Sequence, residues 1–227
     1  MMASEFQENG QLISISVGLP LEVEWNGEAI RTGIFKSPIL GPVQVDPSGL
    51  FGDGQADLTV HGGLDKAVYA FDEATTEYWR AALARPNLSA GAFGENLTLE
   101  GWPETSVRIG DRFRIGEAEF QVSQPRQPCF KLGMLFDDPT LPKRFIKSGR
   151  VGYYLRVLEA GRIEAGNEVI RLETDPTSLD VESLVGIWLD REASTASLER
   201  AAGLESLADA WREPLRKRLL QRSTLSS

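Results

Sequence analysis

The sequence predicts a mostly-β fold of the barrel or folded-sheet kind, with a few peripheral helices and a small C-terminal segment of three helices. Three observations lead there. Short segments in which apolar and polar residues alternate recur along the first part of the chain, as half-buried strands do. Gly and Pro separate them at short intervals, which suits a barrel better than a parallel α/β sheet. The composition then changes at Thr174-Asp175-Pro176: of 22 glycines only Gly186 and Gly203 lie beyond it, and the rest is rich in Leu, Ala and Arg. The expected division is therefore a β domain over residues 1–173 and a helical extension over 174–227.

The elements follow in order. Gln11 to Val17 and Leu21 to Trp25 alternate and read as two strands broken near Gly18-Leu19-Pro20. Asn26-Gly27 is a hairpin turn signal, and Ala29 to Phe35 returns as a strand. Val43 to Val45 and Ala56 to Val60 read as further short strands, and Ala67 to Phe71 as another. Asp72 caps a helix expected to run to about Arg85, where Pro86 stops it. Val107 to Ile115 and Ala118 to Val122 form a hairpin. Pro142 to Lys147 is a short basic helix ended by Gly149, and Val151 to Leu158 and Glu168 to Leu172 are strands. In the extension, helices are expected at Leu179–Leu189, Thr195–Ala202 and Ser206 to about Arg222, with Pro214 kinking or dividing the last.

Composition bounds the function. The chain has 227 residues, a net charge of −9 and a single cysteine. One cysteine makes no intrachain disulfide, no CxxC pair and no iron–sulfur cluster, and it fits a reducing compartment. Residues 1–10 show no signal-peptide pattern and no apolar run reaches the length of a membrane span, so the expected location is the cytoplasm. The acidic balance opposes binding to nucleic acid. Against that background, Gln121 to Gly152 holds six cations and two anions. Such a run is either a solvated face or the lining of a pocket for a small anion.

The candidate chemistry sits in four short motifs. Pro125-Arg126-Gln127-Pro128-Cys129-Phe130-Lys131-Leu132 carries the only thiol, between two cations that favour the thiolate. Two prolines stiffen the loop. A lone cysteine also serves as a small buried hydrophobe, and both readings stand at this point. Gly52-Asp53-Gly54-Gln55 and His61-Gly62-Gly63-Leu64-Asp65-Lys66 are glycine-dense, as turns are and as loops that bring backbone amides against a ligand are. His61 is the only histidine, so no zinc pair is in view. Gly91-Ala92-Phe93-Gly94-Glu95-Asn96 places a proton acceptor beside a residue that both donates and accepts.

Taken together and in this order, these motifs resemble the MOSC family, named after the C-terminal domain of molybdenum-cofactor sulfurase, and within it the stand-alone bacterial branch with a three-helix extension. The resemblance covers about Ile13 to Leu172. It implies a MOSC-type β-barrel and a molybdenum cofactor (molybdopterin) with Cys129 as the protein's ligand to the metal. A soft thiolate suits molybdenum and the cation excess suits the pterin phosphate. It further implies reduction of N-hydroxylated compounds such as 6-N-hydroxylaminopurine, the metal serving as Lewis acid and two-electron store. On this reading Cys129, His61 and Glu95 form the catalytic set, the latter two as proton carriers. Lys66, Arg126, Lys131, Asn96, Gly62 and Gly63 bind the cofactor. The chain has no flavin motif, so a separate flavoprotein reductase is expected as electron donor. Pyridoxal phosphate is not expected, nor are nucleic acid or membrane partners; a homodimer stays open. A persulfide carrier working through Cys129 and a non-catalytic cofactor carrier are the alternatives.

Overall fold

The computed structural model describes residues 9–56 and 62–225, with side chains to Arg222. The chain enters through β1 (Asn9–Val17), leaves for a hairpin of β2 (Leu21–Trp25) and β3 (Glu28–Thr32), and returns as β4 (Ser37–Ile39), β5 (Val43–Asp46) and β6 (Gly49–Leu50). A 3-10 turn at Leu64–Lys66 precedes β7 (Val68–Asp72), which runs into α1 (Glu73–Ala82) and then β8 (Leu97–Glu100). The hairpin of β9 (Arg112–Ile115) and β10 (Ala118–Pro125) is followed by α2 (Phe130–Phe136) and α3 (Leu141–Ser148). Next come β11 (Tyr153–Glu159), β12 (Gly161–Ile163) and β13 (Glu168–Glu173), then α4 (Val181–Leu189), α5 (Thr195–Ala202) and α6 (Asp209–Leu225).

Among the described residues, seven strands close into a barrel in the order β13-β9-β10-β11-β7-β8-β1, sealed where Asn9, Gly10 and Gln11 pair with Ile170, Val169 and Glu168. Closure leaves no free edge along that seam. All neighbouring barrel strands run antiparallel except β7 and β8, which the α1 crossover makes parallel. The inward residues Leu12, Ile15, Ala70, Leu97, Phe113 and Phe120 are fully or almost fully buried. Outside β7 an aromatic stack continues the core: Phe93 lies 4.9 Å from Phe71 and 5.1 Å from Phe136, and Trp79 lies 4.9 Å from Phe145. This stack docks α1, α2 and α3 on the barrel wall.

Two buried carboxylates tie that wall to its loops. Asp72 caps α1 by accepting from Ala74 N at 2.8 Å and accepts from Trp102 N at 2.7 Å. Glu104 accepts from Thr75 Oγ1 at 2.6 Å and from Gly152 N at 2.7 Å. Burial raises the proton affinity of both, against the pull of these hydrogen bonds toward the charged form.

The helical tail packs on the barrel rather than standing apart from it. Leu184, Leu198, Trp211 and Leu215 join the same apolar core. Ala208 N donates to Ser123 O at 3.0 Å and Arg156 Nη1 to Ser206 O at 2.8 Å, so α6 is fastened beside β10 and β11.

Several expectations need correction. The Leu21–Trp25 strand is not half-buried in the barrel: with β3 it forms a separate two-stranded sheet, mostly exposed, around an Asn26-Gly27 turn with both φ angles positive (53° and 79°). Strand β3 stops at Thr32, and residues 107–111 form a turn before β9. The helix capped by Asp72 ends at Ala82 because Ala84 takes a left-handed φ of 52°. The prolines of the cysteine loop are followed at once by α2, a helix the loop composition concealed. Helix α6 runs through Pro214 unbroken, since a proline in its second turn removes one backbone bond while Trp211 and Leu215 on either side are pinned in the core. The strand expected at Ala56–Val60 falls, after Ala56, outside the described residues.

Candidate functional site

The site forms where β10 ends. Pro125 closes the strand, and Arg126 N donates to Gly152 O at 3.2 Å, which turns the chain inward. The guanidinium of Arg126 is buried: Nη1 donates to Phe93 O at 2.5 Å, and its centre lies 4.7 Å from the ring of Tyr69 and 5.7 Å from that of Phe145. Burial works against its charge, but the ionisable Tyr69, Tyr154 and Cys129 groups beside it outweigh that and hold its proton more tightly than in an ordinary arginine. Burial in turn keeps the Tyr69 and Tyr154 phenols protonated. Arg126 is thus a fixed cation between aromatic faces. Gln127 and Pro128 carry the chain to Cys129, the extended residue preceding α2, whose side chain is half-buried.

The opposite wall comes from the loop after β6. Asp53 Oδ1 accepts from Gly18 N at 2.9 Å and also pairs with Lys36 Nζ; both side chains of that ion pair are 7% exposed. Asp53 Oδ2 accepts from Asn96 Nδ2 at 2.9 Å. Asn96 is itself fully engaged, donating to Ser16 O at 3.2 Å and accepting from Tyr69 N at 3.0 Å. Burial lowers the proton affinity of Lys36, more than Asp53 and Glu95 raise it, and Arg126 adds to the lowering.

Between these walls lies a small cavity of about 90 Å³ that opens to solvent at its mouth. The lining holds Cys129, four cations (Lys36, Lys66, Arg126 and Lys131) and one carboxylate, Asp53. Burial also lowers the proton affinity of Lys66. At the mouth, the β2–β3 hairpin is strapped to α2: Lys131 Nζ donates to Arg31 O at 3.0 Å, and Trp25 stacks on Phe130 at 5.8 Å between ring centres.

The structure brings Cys129, Lys66, Arg126, Lys131 and Asn96 to one cavity. Glu95 is next to it but not on its wall. Its side chain is fully buried, accepting from Gly91 N at 2.6 Å and Phe93 N at 2.9 Å, so it holds the Gly91–Gly94 turn instead of facing a ligand. Burial raises its proton affinity, against those bonds. Gly62 and Gly63 lead into the turn that carries Lys66 and are not among the lining residues; Gly63 takes a φ of 91°. His61 lies outside the described residues. The cation run of 121–152 divides: only Arg126 and Lys131 reach the cavity, while Arg144 pairs with Asp138 at 3.0 Å and Arg150 stacks on Tyr78 at 4.8 Å.

Sequence reasoning missed Lys36. It is a lone lysine between short strands, with no local pattern to mark it. Asp53 stood inside a glycine motif but carried no role there.

A molybdenum cofactor can be tested against this wall. Among the described residues no group of three or more His, Cys, Asp or Glu side chains could hold a metal ion. A metal at Cys129 must therefore bring most of its ligands with it, as a dithiolene-bound metal does. One soft thiolate and a cation-rich wall fit such a pre-ligated, anionic group.

Residues 57–170 match the family profile of the MOSC domain. The Bacillus subtilis (strain 168) protein YflK is 39% identical over 212 residues, 93% of this chain and 96% of that protein. The chain belongs to the MOSC family. The crystal structure of YiiM from Geobacillus stearothermophilus superimposes with a TM-score of 0.78 at 35% identity, covering 92% of this chain and 99% of that one. A protein of Gibberella moniliformis named "Reductase" is 36% identical over 167 residues, which make up 72% of this chain and 29% of that protein. The MOSC barrel here therefore carries the YiiM fold. No helix among the described residues is long and apolar enough to cross a membrane.

Proposed function

We propose that the protein is a molybdenum-cofactor-dependent reductase of N-hydroxylated compounds, 6-N-hydroxylaminopurine among them, with Cys129 as ligand to the metal. One observation carries the reading: the only sulfur nucleophile in the chain lies on the wall of a cavity lined by four cations. When bound, the cofactor supplies two-electron redox chemistry and Lewis acidity. Arg126, Lys66 and Lys131 supply the positive field that holds its anionic groups. The stacked, buried guanidinium fixes the loop that aims the thiol. Tyr69 and Tyr154, both protonated, narrow the cavity beside Arg126 and limit the water inside it.

Electrons have to come from outside, since the chain has one cysteine and no flavin-binding motif. A separate flavoprotein is the proposed donor. In keeping with this, the matched segment of the fungal relative is 29% of a longer protein named "Reductase".

The test is metal analysis of anaerobically purified protein. Close to one molybdenum per chain is expected, falling to background in Cys129→Ser. With an added flavoprotein reductase and its nicotinamide donor, the wild type reduces 6-N-hydroxylaminopurine; without the flavoprotein it does not. A protein-bound persulfide in place of molybdenum would establish the sulfur-carrier alternative. Bound cofactor without turnover by any reductant would establish the cofactor carrier.

A further inference from the structure

We propose that Lys36 is the proton donor of this cavity, aimed by Asp53 and Asn96, and that it delivers its proton to the fragment leaving the N–O bond. The proposal rests on the reductase reading and adds a catalytic residue to it.

A buried lysine–carboxylate pair is poor evidence for stability, because desolvating two charges costs about as much as their attraction returns. The pair lines the cavity beside Cys129 instead of filling the core. Its carboxylate is over-determined: Gly18 N and Lys36 Nζ share Oδ1, and Asn96 Nδ2 takes Oδ2. Asn96 has no donor left for a ligand, so its place in the site is to fix Asp53. Lys36 is different. An ammonium has three N–H donors, and among the described residues Nζ bonds only Asp53. Two donors are left for whatever occupies the cavity.

Glu95, the two tyrosines and Arg126 fall away as rivals; Lys66, whose proton affinity burial also lowers, is assigned to the cofactor's anionic groups. Glu95 faces its own turn, fully buried. Tyr69 donates its hydroxyl to Val151 O at 2.8 Å and, like Tyr154, holds its proton too tightly to give it up near neutrality. Arg126 is permanently protonated. Lys36 is held by burial below the ordinary lysine value, toward the range where a general acid works, with Asp53 and Glu95 opposing that shift and Arg126 reinforcing it.

The reaction balances as R–NH–OH plus two electrons and two protons giving R–NH2 and H2O. The N–O bond breaks, the two electrons coming from the reduced flavoprotein. One proton crosses from Lys36 Nζ to the oxygen that leaves as water, the second comes from solvent, and the neutral amine of Lys36 is then reprotonated from solvent.

Two measurements test this. Trace acetylation with acetic anhydride, followed by mass spectrometry from pH 6 to 11, reads the amine without any turnover. Lys36 is expected to titrate below the ordinary lysine range. Labelling of Lys36 with a midpoint inside that range, or only after unfolding, would overturn the proposal. The second is the pH dependence of kcat for 6-N-hydroxylaminopurine with saturating flavoprotein. The wild-type rate should fall on the basic side at the acetylation midpoint. Lys36→Arg, which keeps the charge but not the acid, should lose at least tenfold in kcat and that basic limb, with KM and molybdenum content unchanged. Lys36→Met should behave alike if the arginine does not fit. Wild-type rates and limb in a folded, loaded variant would overturn the role of Lys36 alone. No turnover in loaded wild type would overturn the reductase reading and this role with it, and the acetylation midpoint tells the two failures apart.

Discussion

Asn96 donates Nδ2–H to Asp53 Oδ2 at 2.9 Å, a bond that joins the turn before β8 to the loop after β6 across 43 residues of sequence. The same amide accepts from Tyr69 N and donates to Ser16 O, so one side chain spans β1, β7 and the cavity wall. Asn96→Ala leaves the Tyr69 N–H and the Ser16 carbonyl without their partner, and each orphaned buried group costs about 1–3 kcal/mol. The urea midpoint should fall accordingly. Asn96→Asp restores an acceptor for Tyr69 N but sets a second carboxylate against Asp53, and it should recover only part of the loss.

Gly94 has a φ of 81°, and a Cβ there would meet Ile34 Cγ1 at 2.8 Å and Ile34 O at 3.0 Å. Backbone strain and overpacking both apply, each of the order of about 1–3 kcal/mol. Gly94→Ala is expected to lower the melting temperature by several degrees. Gly27→Ala, with a φ of 79° but open space around it, should be milder.

Glu104 gives a pH prediction. Its proton affinity is raised in the folded protein by burial, so between the ordinary carboxylate range and the raised folded value the native state binds more protons than the unfolded one. Stability from this group is therefore greatest at the acid end of that window and declines as pH rises through the folded value. Glu104→Gln removes the titration while leaving polar partners for Thr75 and Gly152. Its unfolding free energy, followed from pH 4.5 upward, should show a flatter decline than the wild type. An unchanged slope would assign the effect to Asp72, Glu95 or Asp111, whose affinities burial raises in the same direction.

The Trp25–Phe130 stack fastens the hairpin to the residue after the thiol. Such pairs contribute about 0.5–1.5 kcal/mol beyond their buried area. Trp25→Ala should leave the urea midpoint nearly unchanged, because the hairpin lies outside the barrel, while alkylation of Cys129 by iodoacetamide should quicken severalfold.

Much of the fold was legible because strands that alternate over five or more residues, as in Gln11–Val17 and Ala118–Val122, announce a buried face, and because Asp72 and Gly149 are strong helix start and stop signals. The smallest strands outside the barrel, such as Gly49–Leu50, carry too little pattern to be seen. Helix α2 stayed hidden because Pro128 reads as loop although it sits just outside the helix. At the site, Cys129 and Arg126 could be found from their own loop. Lys36 could not: its importance comes from burial beside Asp53, 17 residues away, which is a tertiary fact. Glu95 misled for the converse reason, since a carboxylate next to glycines looks available until its backbone donors are counted.

The seam between the first and last barrel strands sets an order of events during synthesis. Residues 9–11 find their β13 partners only once residues 168–170 have emerged. Until then β1, with the apolar Leu12 and Ile15, waits on the ribosome with one side unzipped. Such distant pairing folds slowly and invites association with other strands. A truncated message ending before β13 would yield an open ribbon with that side of β1 unpaired.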